Sequence, residues 1–329
     1  MISITNNKQM GGEQELSSSD LFYGVTNSGR SSLRWILESM NLRGKRILVP
    51  DFLCQIVIDV LREYEIEITF YSVDEELSYQ LNGKETEFDA LYVIRYFGYD
   101  SGALEQTLSK LHTATIIDDV FGVEPPTING TQHWCYFNSL RKISFVADFS
   151  QVVSNKPLKS IEKKRLDVFS QVKYLAKEQK FSYLNTGQGS EEEYLHQFNL
   201  GESILNESKN IYQASDSSIY QATRFCQSLK SETDIRQRNL SLAKKLLKSK
   251  QYIDITSQFP SFLPLKLKHR DIVRKALMSK NVFLAVHWPA TDKTDNVLTE
   301  QLLSIPLDSR YNDRDIERIC HLIREITNE

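Results

Sequence analysis

The sequence predicts an α/β protein with a large region, a mostly parallel sheet between helices, and a smaller C-terminal α+β region. Three observations carry this. Short apolar runs alternate with helical periodicity from Arg46 to Ile117, the pattern of βαβ units buried on both faces. A polar, helix-periodic stretch follows from Lys159 to Lys250. Strand-like runs then return at Phe262 and the chain closes on a helix. We expect a large domain over 1–235 and a small one over 236–329, a division that 329 residues accommodate.

The elements follow in order. Leu33 to Met40 reads as a helix. Arg46 to Pro50 is a short buried strand. Phe52 to Tyr64 repeats Ile56, Val57, Val60 and Leu61 at helical spacing, and Ile66 to Val73 is a strand ending at Asp74. Ala90 to Ile94 is an unbroken apolar strand before the loop Tyr96 to Gly102. Leu104 to Leu111 is helical, Ala114 to Ile117 a strand, and Trp134 to Phe137 another. Gly187 to Ser190 marks a loop, and Glu191 to Glu193 begin a solvated helix rather than a metal site. Arg236 to Lys250 is a basic amphipathic helix with Leu240, Leu242, Leu246 and Leu247 near one face. Phe262 to Leu267 and Val282 to Val286 are strands, and Asp313 to Ile326 is the last helix.

Composition narrows the function. Hydrophobic residues at 40% and charged ones at 25% argue against disorder. A net charge of −3 gives no electrostatic case for nucleic acid or an anionic membrane. No apolar run reaches the roughly 18–20 residues of a membrane helix, and Met1 to Gln14 lacks the apolar core of a signal peptide. A soluble, cytoplasmic protein is the expectation. The four cysteines form no CxxC pair and the six histidines no HxxxH spacing, so neither a metal site nor a disulfide framework is expected.

Three segments can carry chemistry. Thr26 to Ser32 precedes a helix that Asn27 or Ser28 can cap, and Gly29 permits close backbone approach. Free N–H groups and the helix dipole make this a phosphate seat, with a capped surface helix as the alternative. Ile116-Ile117-Asp118-Asp119 is an apolar strand ending in two carboxylates, where ligands of parallel sheets bind. An acid there can face a cation or protonated ring, bind Mg²⁺ or cap a helix. Ser139-Leu140-Arg141-Lys142 follows a strand. Its hydroxyl can meet a phosphate and its amine a carbonyl. Lys142 lies between apolar stretches, and a desolvated lysine has a lowered pKa and can act as a nucleophile.

With these segments the chain resembles the pyridoxal-phosphate (PLP) sugar aminotransferases of the DegT/StrS family, PLP fold type I, in the aspartate aminotransferase superfamily. The resemblance runs from about Phe22 to Ile326. It rests on Ser28-Gly29-Arg30-Ser31, Val49 to Cys54, Tyr96-Phe97-Gly98, Ile117-Asp118-Asp119, Ser139 to Lys142, Val286 to Pro289 and Leu303 to Tyr311. It implies Lys142 as the Schiff-base lysine and Asp119 as the acid paired with the pyridine nitrogen. Ser28, Gly29, Arg30 and Ser139 would hold the phosphate, Cys54 would lie at the ring, and His287 and Trp288 would meet substrate. The chain departs from the family at Asp148-Phe149-Ser150, where Asp-Gly-Gly or Glu-Gly-Gly is usual, and at Gly122, where His or Gln is common.

The implied activity is transfer of an amino group, with glutamate as donor, to a nucleotide-linked keto-sugar in surface polysaccharide or amino-sugar biosynthesis. The implied assembly is a homodimer. A PLP-dependent sugar dehydratase and a non-catalytic binding or regulatory protein are the alternatives.

Overall fold

The computed structural model describes residues 20–83, 85–99, 103–110, 112–128, 132–254 and 256–328. Met1 to Gln14, Leu111 and the Asp100-Ser101-Gly102 end of the expected loop lie outside them.

The first half builds β1 (Phe22–Thr26), α1 (Gly29–Ser39), β2 (Arg46–Pro50), α2 (Gln55–Glu63), β3 (Glu67–Val73), β4 (Tyr79–Gln80), β5 (Ala90–Ile94), α3 (Ala103–Lys110), β6 (Ala114–Asp119), β7 (Trp134–Asn138) and β8 (Ser150–Ser154). These strands form one sheet in the order β1-β8-β7-β6-β5-β2-β3-β4. From β3 through β2, β5 and β6 to β7 every pairing is parallel. The β8 pairings and the β3–β4 pair are antiparallel. All five residues of β5 are buried, as expected of a strand covered on both faces.

Four helices follow: α4 (Asp167–Thr186), α5 (Glu191–Glu207), α6 (Asp216–Gln227) and α7 (Leu229–Leu246). The acidic run does begin a helix. Ser190 and Glu193 form a reciprocal capping box at the start of α5. The C-terminal region holds the antiparallel pair β9 (Phe262–Lys266) and β10 (Leu302–Pro306) with α8 (Arg270–Met278), the short α9 (Leu298–Gln301) and α10 (Asp313–Thr327). Leu240, Leu265, Leu277, Leu303, Ile305, Ile316 and Ile323 fill a second apolar cluster there. The α/β architecture with a smaller C-terminal α+β domain is therefore as the sequence predicts.

Several elements differ from expectation. Val282 to Val286 is not a strand. Its burial alternates, but only Ala285 makes a bridge, to Ser304, before the chain turns off at Trp288 with φ 48°. Helix α7 starts at Leu229, seven residues earlier than its basic face suggests, and ends at Leu246. Strand β6 runs on through both acids. The antiparallel strands β1 and β8 have no clear sequence signal, because Ser150-Gln151-Val152-Val153-Ser154 holds only two apolar residues.

One buried charge ties the two regions together. Arg236 on α7 is 1% exposed. It pairs with Glu232 at 2.8 Å and donates to the Ile143 carbonyl at 2.9 Å. Its guanidinium also lies over the Phe259 ring. Removing one partner of such a pair leaves an uncompensated buried charge. Arg236→Met should therefore cost about 3–5 kcal/mol of stability, measured as a urea midpoint shift; a shift worth under about 1 kcal/mol would show that the pair is not needed.

Candidate active site

The site is assembled at the carboxyl ends of the parallel strands, where such sheets place ligands. Alternation along β6 decides its character, since successive side chains on a strand point to opposite faces. Register aligns Asp118 with Phe137 and Asp119 with Asn138. A methyl built on Gly29 would lie 3.3 Å from the Phe137 ring and 3.6 Å from Val120 Cγ1. Phe137, Val120 and hence Asp118 face the start of α1. Asp119 faces the other way.

Asp118 is 4% exposed. The Tyr92 hydroxyl donates to its Oδ2 at 2.6 Å, and the Val120 amide donates to Oδ1 at 3.2 Å. Burial pushes its carboxyl up to about 7, against the opposing pull of these hydrogen bonds and of the Lys142 charge. Asp119 is fully buried and takes the Arg95 guanidinium at 2.8 Å and the Tyr136 hydroxyl at 3.2 Å. Gly122 follows from that pair. A Cβ there would come within 1.9 Å of Asp119 Oδ2, so the position has no room for a side chain while the carboxylate keeps this place. Asp119 thus points to the face of β6 opposite Asp118. The Lys142 charge acts on Asp118.

Lys142 ends a short 3₁₀ turn, Leu140–Lys142, after β7. The residue as a whole is exposed, while burial of its amine is one cause of its lowered basicity. Its amine is pushed down to about 8, first by the Arg141 charge and then by burial. The Arg141 charge is the larger of the two causes. Cys54, the residue before α2, is half-buried. Burial raises its thiol, while the Lys142 charge lowers it and Asp118 raises it. Cys54, Asp118 and Lys142 therefore share one electrostatic neighbourhood.

The start of α1 is capped and carries free amides. Ser28 is the N-cap of α1 and accepts from the Ser31 amide at 3.3 Å. Its hydroxyl donates to Asn27 Oδ1 at 2.8 Å, so it is engaged in the cap. Gly29 and Arg30 open the helix, and first-turn amides have no intrahelical acceptor. Ser139 Oγ and Asn27 Nδ2 are buried without a hydrogen-bond partner. Orphaned buried donors carry a desolvation cost unless a ligand or water meets them. Two of them beside a helix N-terminus fit a phosphate group.

The other two expected residues divide. His287 is half-buried, its Nδ1 lies 2.8 Å from Ser304 Oγ, and burial followed by the Lys142 charge holds it down to about 3. It belongs to the Lys142 neighbourhood as a neutral imidazole. Trp288 is instead buried among Phe52, Tyr96, Phe97 and Phe121, where it packs. Arg141, Lys173 and Glu202, also beside Lys142, are not visible in the sequence as site residues. Only the Arg141-Lys142 adjacency hinted at one of them.

Among the described residues no group of His, Cys, Asp or Glu could hold a metal ion, and no helix is long and apolar enough to cross a membrane.

A linkage effect follows from Asp118. Its folded value of about 7 lies above the unfolded value of about 3.9, so the folded state holds that proton more tightly. Its contribution is fully present below about pH 4 and is lost as pH rises through 7. Relative to Asp118→Asn, the wild type should lose on the order of 3 kcal/mol between pH 4 and 8. Urea unfolding of both proteins across that range measures it, and a constant difference would refute it.

No protein-family model matches the sequence, and no curated protein matches it. Solved structures do. PseC of Helicobacter pylori, an aminotransferase involved in the biosynthesis of pseudoaminic acid, is 10% identical with a TM-score of 0.65, over 93% of this chain and 86% of that one. The aminotransferase TlmJ from Streptoalloteichus hindustanus is 12% identical with a TM-score of 0.63, over 93% and 86%. A DegT DnrJ EryC1 StrS aminotransferase from Brucella abortus is 13% identical with a TM-score of 0.60, over 93% and 86%. At these identities the likeness is one of fold, and that fold is PLP fold type I.

Proposed function

We propose that the protein is a PLP-dependent aminotransferase that moves an amino group, with glutamate as donor, to a nucleotide-linked keto-sugar in amino-sugar or surface-polysaccharide biosynthesis. The observation that carries the reading is one constellation: the Lys142 amine and the Asp118 carboxyl on the same face of the sheet, with the orphaned Ser139 hydroxyl and the start of α1 beside them. The fold shared with sugar aminotransferases supports it.

Bound pyridoxal phosphate would supply an aldehyde that captures amines and a ring that draws electrons from the carbon next to the nitrogen. The chain's own residues do the rest. The amides of Gly29 and Arg30, with Ser139 Oγ and Asn27 Nδ2, hold the phosphate. Asp118, fixed by Tyr92, is the acid for the ring nitrogen, a role we move from Asp119 on the strength of their opposite orientations. Lys142, with an amine near 8, is partly neutral near physiological pH. It can bond to the aldehyde and later move a proton at its Nζ. His287, held neutral, borders the substrate side. The domain division at 235/236 and a cytoplasmic setting belong to the same proposal.

A homodimer completes the proposal. Phe181 and Leu184 of α4 and Leu195 and Leu200 of α5 are 67%, 63%, 45% and 40% exposed. Exposed apolar side chains in such number on one helical hairpin mark an association surface. Light scattering should return twice the chain mass, and Phe181→Glu should return one; a monomeric wild type would remove the dimer from the reading.

The activity has a direct test. Wild type mixed with pyridoxal phosphate should gain a visible absorbance band that glutamate bleaches and borohydride fixes to the chain, whereas Lys142→Ala should retain no cofactor after reduction. Asp118→Asn should weaken cofactor binding more than Asp119→Asn at equal folded fraction. A colourless wild type at saturating cofactor would end the reading, and the reverse order of the two Asn variants would return the acid's role to Asp119.

A further inference from the structure

Beside Lys142 lies a charge cluster whose side chains the transamination reading gives no ligand. Glu202 of α5 meets three cations: Arg141 at 2.9 Å, Lys173 at 2.9 Å and Arg30 at 3.6 Å. Arg30 also donates to Asn206 Oδ1 at 2.6 Å. The arrangement is lopsided in solvent access. The cations are 11%, 7% and 12% exposed, while Glu202 is 39% exposed. Three fixed bases thus sit behind one acid that can swing out to water, where its charge is solvated at little cost. Without it, three buried cations would require another anion.

The surrounding bases report unbalanced positive charge. Burial and then Arg141 bring Arg30 down to about 10. Burial, then Lys173 and Arg141, bring Lys177 down to about 7. Burial alone would raise Glu202, but Arg141 and Lys173 hold it well below the usual carboxylate range. The local packing maintains the cluster. Gly201 sits inside α5, where glycine costs about 1 kcal/mol relative to alanine, and a Cβ there would come within 2.5 Å of the Lys173 side chain. Arg141 Nε is buried without a partner, leaving one more donor for an incoming group.

We propose that Arg30, Arg141 and Lys173 form a gated anion subsite, separate from the α1 phosphate seat, with Glu202 as the displaceable counter-ion and a phosphoryl or diphosphate group of a reactant as its ligand. With Glu202 displaced, three cations face the incoming group, which favours a multiply charged phosphoryl or diphosphate anion. Guanidinium forks suit phosphoryl oxygens. The site lies next to Lys142, so a reactant anchored there by a phosphoryl group is held within reach of the amine. In the reading proposed above, that reactant is the acceptor. The subsite itself does not require that reading.

The test is calorimetric titration with inorganic pyrophosphate. It is done on the cofactor-free protein and on protein loaded with pyridoxal phosphate and reduced with borohydride. Pyrophosphate should bind both forms. Glu202→Gln, nearly isosteric and half exposed, should bind at least about tenfold more tightly, and Lys173→Met should bind at least about tenfold more weakly. Thermal melts confirm that each variant is folded. If Lys173→Met is unfolded, Arg141→Gln carries the weakening arm. Unchanged affinity in Glu202→Gln overturns the gate. Loss of pyrophosphate binding on cofactor loading overturns a separate subsite and assigns the anion to the cofactor's own seat. Should the protein fail to take up cofactor, the cofactor-free titration still decides the subsite, so the two proposals fail separately.

Discussion

The period-two geometry of β6 governs the centre of this molecule. The strand does not stop at its last apolar residue but continues through Asp118 and Asp119, and adjacent residues on a strand must face opposite sides. Two neighbouring carboxylates are thereby sent into two separate buried environments. Neither can use the other's partners. Asp119 is matched by Arg95 and Tyr136, and its carboxylate occupies the space that any side chain at residue 122 would need. Asp118 is held by one hydroxyl and one amide and is left with a raised carboxyl facing Lys142. Asp119 is held in an ion pair with Arg95, whereas burial leaves Asp118 with a raised carboxyl.

Charge around Lys142 has the same unbalanced quality. Arg141 follows from its neighbouring position in the chain, but Lys173 and Arg30 arrive from α4 and α1, and Glu202 from α5. Like charges in proximity lower the basicity of every amine in the group, which is why Lys142 can be half-deprotonated near pH 8 while solvent still reaches it. The Arg141 charge is the first cause and burial of the amine the second.

The C-terminal domain is fastened to this site rather than merely adjacent to it. Arg236 bonds the carbonyl that follows Lys142. Ser261 donates to the Phe121 carbonyl. Trp288 closes an aromatic cluster with Phe52, Phe97 and Phe121, and both Phe97 and Trp288 hold left-handed backbone conformations to do so. Bulky residues occupy that region only when surrounding contacts over-determine it. A displacement of the C-terminal domain would therefore be felt at the lysine turn.

What the sequence determined by itself was local. Unbroken apolar runs at Ala90 to Ile94 and Trp134 to Phe137, helical spacing through Phe52 to Tyr64, and the acidic run at Glu191 to Glu193 each carry their own physical signal, and so the α/β class and the order of its elements were legible. The turn after β7 that carries Ser139 and Lys142 was legible as the exit of a strand. Tertiary structure decided the rest. Which face of β6 meets α1, and hence which acid meets the lysine, depends on how a helix packs across the sheet. Lys173 and Glu202 gain meaning only when two helices more than 30 residues downstream fold back over the start of α1. The Val282 to Val286 run alternates like a strand yet lacks a continuous partner, and a ladder needs two chains. Periodicity is written in neighbouring residues; facing, pairing and charge balance belong to residues that meet only after folding.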